Sequence, residues 1–346
     1  VRAVDSVTHL VVGATLGQLL GGRQLGRKAL LWGALLGSLP DADVLALPWL
    51  SEIQQLEWHR GFMHSLLFLA LAAPLFGALI ARIHRDKITF RAATLLAVAA
   101  LLSHLLLDCC TVYGTEIFQP FSSARIAWNN LFIIDPLFTL PFAVATLLLL
   151  PRRFAKARQS IAAAALLLGC AYLGWSFSAK SAADRAFEKA FAAQHLEVRR
   201  YMTAPAPLNT ILWRAVAEGP GGYWIGYHSL LDGGRAIRFR YVERGEESLG
   251  PLADTPAVRT IQWFSNGYWL ARDLGDGTVR LADLRFGETN IAMLRRDPEF
   301  FFAWRVIPVA TGSTAQSLST PRGPLRPLFG ALRRRILGET SPLWPL

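Results

Sequence analysis

The chain has 346 residues, 52% of them hydrophobic, with 36 Lys and Arg against 25 Asp and Glu and a formal net charge of +11. That length holds one large domain or two ordinary ones, and so large an apolar share excludes a plain soluble globule. Cys109, Cys110 and Cys170 are too few for a disulfide framework, and adjacent Cys109 and Cys110 read as small apolar fillers.

Apolar runs of 16 to 22 residues recur from residue 7 to about 178, and the rest reads as globular sequence. A hydrocarbon core ~30 Å thick takes ~20 apolar residues per helix. Six spans are predicted: Val7–Gly22, Ala29–Leu47, Phe62–Ile83, Ala92–Leu107, Leu131–Leu150 and Ile161–Phe177. The first and fourth are short, so their ends are expected to sit in protein rather than lipid. The first is not a cleavable signal peptide, because Asp5 and His9 stand at its head, no basic leader precedes it and a second span follows Gly21-Gly22. Val1 reads as a non-methionine start codon taken literally, and Val4 as an equally good start.

Basic residues alternate between loops. Arg23, Arg27 and Lys28 follow the first span, Arg82, Arg85, Lys87 and Arg91 the third, and Arg152, Arg153, Lys156 and Arg158 the fifth. The intervening loops hold only Arg60 and Arg125. This is the positive-inside pattern, which places the basic loops in the cytoplasm and both termini outside. The positive charge therefore sets topology, and no nucleic-acid partner is expected.

Of the histidines and acidic residues in this half, only His84 and Asp86 fall on the cytoplasmic side. His9 opens the first span, Asp41 and Asp43 close the second, and His59 and His64 open the third. His104 and Asp108 close the fourth, and Asp135 opens the fifth. Helices of alternating direction bring these groups to one level, and ionisable groups beside hydrocarbon usually mark a site.

Their spacings suit metal ligation. His104 and Asp108 in "SHLLLD" are i and i+4 on one helix face. In "LPDAD" the turn at Pro40 displays Asp41 and Asp43. His59 and His64 are five apart, which puts His59 in the loop before the helix and His64 on its first turns. Neutral imidazole with carboxylate suits zinc or manganese, and several ligand sets point to two ions rather than one.

Taken singly, each residue has a structural explanation. Asp135 before Pro136 reads as an N-cap, Arg60 as an interfacial cation, and His104 with Asp108 as a buried hydrogen-bonded pair. Four helix ends on one face, each supplying His or Asp, argue for a site.

From Ser178 the composition changes. "KSAADRAFEKAFAAQHLE" predicts a helix leaving the membrane, and "TAPAPLNT" ends it. Alternating stretches follow, "TILWRAVA", "GYWIGYHSL", "AIRFRYVE", "RTIQWFSNGYWLARD", "GTVRLADLRF" and "FFAWRVIP", with "EGPGG", "LDGG" and "GDG" as hairpin turns. They predict a small antiparallel β domain, which the topology places outside. Trp213, Trp224, Trp263 and Trp269 at strand spacing read as sheet packing rather than base stacking. Arg214 is noted as a cation that could reach over the membrane site. The expected organisation is a transmembrane metal-site domain (1–178), a helical linker (179–208), a β-rich outer domain (209–310) and a basic tail, disordered or interfacial (311–346).

"VDSVTHLVVGATLGQLLGG", "GSLPDADVL", "HRGFMHS" and "SHLLLDCCTVYGT" resemble, in order and spacing, bacterial inner-membrane metal-dependent hydrolases of the LexA-regulated inner-membrane protein type. The resemblance covers most of residues 4 to 145, and "NTILWR" and "DLRFG" look like stretches of long members. It implies distant similarity to zinc-dependent phospholipase C and P1-type nucleases, which cleave phosphate esters with a helical His/Asp cluster holding several zinc ions. It would carry the ligand role to His9, Asp43, His59 or His64, His104 and Asp108. No second His-x-x-x-Glu or His-x-x-x-Asp helix follows Asp108, which favours one or two ions over three.

The reading that results is a multi-pass protein of the bacterial inner membrane with its site and carboxyl-terminal domain outside. It is expected to hydrolyse phosphate esters in a lipid or another envelope molecule. His9, Asp43, His59, His64, His104 and Asp108 would hold a divalent metal, zinc or else manganese, that activates water. Arg60 would pair with a phosphate oxygen, and Asp41 would orient a histidine or bridge ions. The rivals are a metal-binding transporter and a non-catalytic membrane scaffold. Polar groups confined to one face leave a transport path without its inner half.

Overall fold

The structure, a computed structural model, describes residues 5–289, 299–310, 312–318 and 325–339. Val1 and Val4 lie outside them. The helical half comprises α1 (Ser6–Leu25), α2 (Lys28–Ser38), a 3-10 helix (Pro40–Trp49), α3 (Glu52–Trp58), α4 (Leu66–Ile83), α5 (Phe90–Cys109), α6 (Pro136–Leu149) and α7 (Arg158–Ala193). Each of the six expected spans contains a helix.

Among the described residues, three segments are long and apolar enough to cross a bilayer: α4, α5 and the continuous stretch Arg152–Ala193. A fourth results if α2 and the following 3-10 helix, bent by 48°, form one span. The bend falls at Pro40, whose ring cannot continue the α-helical ladder. With 14 residues α6 is short.

Caps fix where the helices begin. Asp5 accepts from Thr8 N (3.2 Å), Ser65 from Phe68 N (3.0 Å) and Thr89 from Ala92 N (3.3 Å). Asp135 accepts from Leu137 N and Phe138 N at 3.1 and 3.3 Å with Pro136 at N1, so the N-cap explanation of Asp135 holds.

Helices α1 and α2 meet backbone to backbone. A Cβ on Gly13 would lie 2.3 Å from the Gly33 carbonyl oxygen, one on Gly17 2.2 Å from that of Ala29, and one on Gly37 2.6 Å from that of His9. The four-residue spacing Gly13/Gly17 on one helix and Gly33/Gly37 on the other is what close helix approach in membranes requires. It brings the carboxyl end of α2 against His9.

The basic loops gather at the opposite end. Arg27 donates to the Leu150 carbonyl (3.1 Å), Arg158 to that of Leu149 (3.2 Å), and Trp32 Nε1 to His84 Nε2 (2.9 Å). The bundle thus has a basic pole and a pole of His and Asp.

With 36 residues, α7 is about 54 Å long, well beyond a ~30 Å hydrocarbon core. It passes through Ser178 unbroken to Ala193, where the second unit packs on it. Ala179, Ala183, Phe187 and Phe191 share a core with Trp213, Ala215 and Ala217.

The carboxyl-terminal unit holds two antiparallel four-stranded meanders. The first is β1 (Arg200–Pro205), β2 (Leu212–Gly219), β3 (Gly222–Ser229) and β4 (Phe239–Glu243); the second is β5 (Trp269–Asp273), β6 (Val279–Glu288), β7 (Phe300–Val309) and β8 (Gly312–Ser317). The second sheet is buried on both faces, by the period-two alternation of a strand. Leu270 and Ala282 face the first sheet, with Val216 and Ile225. Trp269, Ala271 and Leu281 face α8 (Pro256–Phe264) and the helical half, where Leu56, Val112 and Tyr113 join the same core.

Three expectations change here. "RTIQWF" is helical in α8, not extended, because Pro256 starts a helix and Ala257, Val258, Ile261 and Phe264 recur at helical spacing. The stretch read as linker contains β1, which pairs with β2. The stretch read as a disordered or interfacial tail supplies β8 and α9 (Leu325–Ile336). Leu332 of α9 is buried against the sheets, and Arg335 binds Asp232 at 2.6 and 2.8 Å.

Candidate metal centre

Five elements converge at the His/Asp pole. α1 supplies His9 from its first turn, the 3-10 helix supplies Asp41 and Asp43, and α5 supplies His104 and Asp108 from its last two turns. His59 and Arg60 lie in the break between α3 and α4. His64 stands in a short 3-10 turn, Phe62–His64, just ahead of α4 rather than on its first turns. All eight residues are buried, with His59, His64 and His104 fully inaccessible.

The donor atoms crowd together. His64 Nε2 lies 3.1 Å from His104 Nε2, 3.3 Å from Asp108 Oδ2 and 3.6 Å from Asp41 Oδ1. His104 Nε2 lies 3.4 Å from Asp108 Oδ2 and 3.6 Å from Asp41 Oδ1. Ligands of a tetrahedral ion with ~2.1 Å bonds sit ~3.4 Å apart, so these separations fit a zinc-sized ion. Two overlapping sets arise, His64/His104/Asp108 and His9/Asp41/His104, with His104 common to both.

Hydrogen bonds fix the rings. His104 Nδ1 lies 2.7 Å from the Gly37 carbonyl, which can only accept. The proton therefore sits on Nδ1, and Nε2 presents a lone pair to the cluster. Asp43 approaches His59 Nδ1 at 3.0 and 3.2 Å, accepts from Arg60 N at 3.0 Å, and stands 3.5 Å from His64 Nδ1. In the structure Asp43 holds His59 in place and stands beside His64, while Asp41 lies among the grouped donor atoms; Ser6 Oγ donates to the other oxygen of Asp41 (3.2 Å).

Arg60 is as buried as the cluster. Its Nη2 lies 2.8 Å from Asp108 Oδ1, Nη1 donates to Thr111 Oγ1 (2.9 Å), and its guanidinium stacks 4.8 Å from the Tyr113 ring centre. Its backbone is left-handed (φ 61°), a strained state of about 1 kcal/mol or more, held by the Asp43 bond to its N–H. Arg60 thus neutralises Asp108 and lines a cavity of ≈ 20 Å³, about one water, together with His9, Asp108 and Thr111.

Buried His9 Nδ1, Asp41 Oδ1, His59 Nε2, Arg60 Nε, His64 Nδ1 and Asp108 Oδ2 make no hydrogen bond. Buried polar atoms are ordinarily satisfied. Six such atoms fall in this one cluster, whose His and Asp donors are grouped closely enough to hold a metal ion.

Tyr113, which sequence reasoning missed, caps the cluster. Its ring meets His59 (5.3 Å), Phe264 (5.1 Å) and Phe286 (6.0 Å), and burial pushes its phenol up to about 12 against the pull of Arg125 and Arg60. The pattern "CCTVYGT" held the only signal, an aromatic just past the ligand helix. Arg214, by contrast, does not reach the site: it is buried between the sheets against Glu288 at 2.9 and 3.1 Å.

The carboxyl-terminal motifs serve as joints. In "NTILWR", Asn209 Oδ1 accepts from Ile211 N and Leu212 N (2.9 and 2.7 Å), and Thr210 Oγ1 accepts from Trp175 of α7 (3.1 Å). In "DLRFG", Asp283 grips Arg285, which donates to the Val112 carbonyl beside the cluster (3.2 Å).

Comparison with known proteins agrees with the membrane character of this half. The family model described as YdjM inner membrane protein matches residues 4–183. Inner membrane protein YbcI of Escherichia coli (strain K12) is 36% identical over 121 residues, 34% of this chain and 69% of that protein. YfhP of Bacillus subtilis (strain 168) is 29% identical over 143 residues, 38% of this chain and 42% of that protein, so the match spans about two fifths of YfhP. No solved structure matches. The chain belongs to the YdjM inner membrane protein family.

Proposed function

From that membership and the cluster's geometry, we propose a membrane-embedded, metal-dependent hydrolase of phosphate esters, its centre at the outer face of the membrane. The observation that carries the reading is the packing of His64 Nε2, His104 Nε2, Asp108 Oδ2 and Asp41 Oδ1, with five separations of 3.1–3.6 Å. These residues, with His9, would hold one or two divalent ions, zinc by their chemistry. Such an ion supplies Lewis acidity and lowers the pKa of bound water towards ~7.

The chain's own groups do the rest. Gly37 keeps the His104 lone pair inward, and Asp43 does the same for His59, whose Nε2 is free to take a proton. Arg60 balances Asp108 and keeps hydrogen-bond capacity at Nε toward an anionic oxygen. Likeness to zinc-dependent phospholipase C and P1-type nucleases belongs to this proposal, as do six spans and an extracytoplasmic β unit. The topology draws support from the basic opposite pole. A rim of outward aromatics beside the cluster points the same way, with Trp49 82% and Phe121 85% exposed, as at a bilayer interface.

A second reading, an ion held without turnover, is favoured by the burial of every ligand and the small cavity beside them. One experiment separates the two: metal content of detergent-purified full-length protein, with turnover of bis(p-nitrophenyl) phosphate, in wild type and His104→Ala. Bound zinc or manganese with turnover, both lost in the variant, supports hydrolysis. Stoichiometric metal with no turnover across a panel of phosphate esters leaves only the ion-holding reading, and no metal after reconstitution removes both.

A further inference from the structure

A second cavity lies at the seam between the helical half and the β unit. Its volume is ≈ 480 Å³, the size of a small-molecule site. Three cations line it, Arg125, Lys180 and Arg285, with Asp184 as the carboxylate among the lining residues. Trp128 and Trp263 flank them; Trp128 is 39% exposed and packs on Phe177 of α7, near the expected outer end of that span.

Arg125 is the informative residue. Its Nη1 donates to the Leu56 carbonyl (3.0 Å) and lies 3.4 Å from Glu116, and its Nη2 donates to the His59 carbonyl (2.9 Å). Its Nε is buried and makes no hydrogen bond, and neither does Asn129 Oδ1 in the same wall. Glu116 is the carboxylate paired with Arg125, and burial pushes its carboxyl up against the pull of that guanidinium. Arg285 is matched by Asp283 but retains guanidinium hydrogens beyond those used on Asp283 and Val112. Lys180 is held by Thr203 and Asp184. The cavity therefore sets three cationic side chains against one lining carboxylate, beneath an aromatic lip. Planar guanidinium groups with spare donors are suited to phosphate oxygens.

We propose that this cavity binds the phosphate-bearing headgroup of an amphiphile, at a site separate from the metal cluster and one aromatic ring, Tyr113, away from it. Arg125 lies 5.1 Å from the Tyr113 ring centre on one side, and His59 meets that ring on the other. Occupancy would load the backbone of His59 through the Arg125 bond to its carbonyl. The proposal rests on the membrane placement read above and not on hydrolysis.

The test is binding without catalysis. Full-length protein in phosphatidylcholine nanodiscs is titrated with dihexanoyl phosphatidic acid, dihexanoyl phosphatidylcholine and glycerol 3-phosphate, read by tryptophan fluorescence, with and without EDTA. Saturable binding of dihexanoyl phosphatidic acid that survives EDTA, weakened about tenfold by Lys180→Gln and by Trp128→Ala, is the expected result. Glycerol 3-phosphate binding equally well, with the same two variants weakening it, assigns the same anion site to a soluble phosphate ester. Binding abolished by EDTA moves the anion to the metal cluster and overturns the proposal while leaving the hydrolase reading intact. Binding indifferent to both variants, or absent altogether, overturns it as well.

Discussion

Two buried ionic clusters in this molecule look alike and behave differently. Between the sheets, Arg214 is answered by both oxygens of Glu288 and by the Leu284 carbonyl, and Tyr227 donates to the same carboxylate (2.5 Å). At the pole of the bundle, four histidines, three aspartates and Arg60 pack as tightly, yet six of their atoms make no hydrogen bond. A cluster that answers itself is architecture. One that groups histidine nitrogens and carboxylate oxygens within 3.1–3.6 Å of one another has donors placed as a metal ion could take them, and the desolvation of its charges is sustained by the fold around it.

The contrast can be broken most directly at the metal. His104→Ala with Asp108→Ala is expected to remove bound metal entirely, by mass spectrometry of purified protein, whereas replacing Arg214 and Glu288 together by Met and Leu leaves metal content unchanged. Metal retained by the first variant would merge the two clusters into one class. Next in size, Glu288→Gln alone leaves Arg214 buried without its countercharge and is expected to cost about 3–5 kcal/mol. A fall in thermal unfolding temperature should show it, with metal content intact, and the Met/Leu pair should recover most of the loss.

A smaller change sharpens the internal division of the metal cluster. Asp43→Asn should weaken metal affinity about 10–100-fold without emptying the site, since Asp43 orients His59 and fixes the turn at Arg60. An affinity as low as that of the His104 variant would make Asp43 a ligand instead.

The mildest test concerns Asp232, which anchors α9. Burial raises its carboxyl, but His228, Arg335 and the Ser229 N–H outweigh burial and hold it below the ordinary value. A depressed carboxylate contributes stability above its unfolded pKa of ~3.9, and that contribution is lost as pH falls through this range toward the folded value. Hydrogen exchange in residues 325–336, corrected for intrinsic rate, should therefore quicken below about pH 4. Asp232→Asn should exchange fast at neutral pH and show no such step.

Much of the His/Asp cluster could be read from the chain, because helices that alternate in direction must return their ends to one level. His9, Asp41, His104 and Asp108 are found that way, each at the end of an apolar run. Roles were harder to read than places. Asp41 and Asp43 are equivalent in "LPDAD", and only the left-handed turn at Arg60 brings Asp43 to His59 and Arg60 N and gives it an orienting part. The sequence offers Arg60 as a phosphate partner or an interfacial cation, and its run of neighbours, "HRGF", carries no hint that Asp108 and Tyr113 enclose it. In the β unit, β8 lacks an alternating apolar pattern and exists because β7 offers it an edge. The glycine spacing of α1 and α2 is legible as "GATLG" and "GALLG", but only the crossing of the two backbones gives it a meaning.

That crossing has a consequence for a protein whose solvent is a film of variable thickness. A helix such as α4 accommodates a thicker or thinner bilayer by tilting against soft side chains. Where Gly13, Gly17, Gly33 and Gly37 meet, no side chain lies between the two backbones to yield. The pair must ride as one strut. Because His9 sits on one member, and Gly37 and the turn to Asp41 on the other, the gauge between these donors is machined into the main chain and stays the same whatever lipid surrounds it.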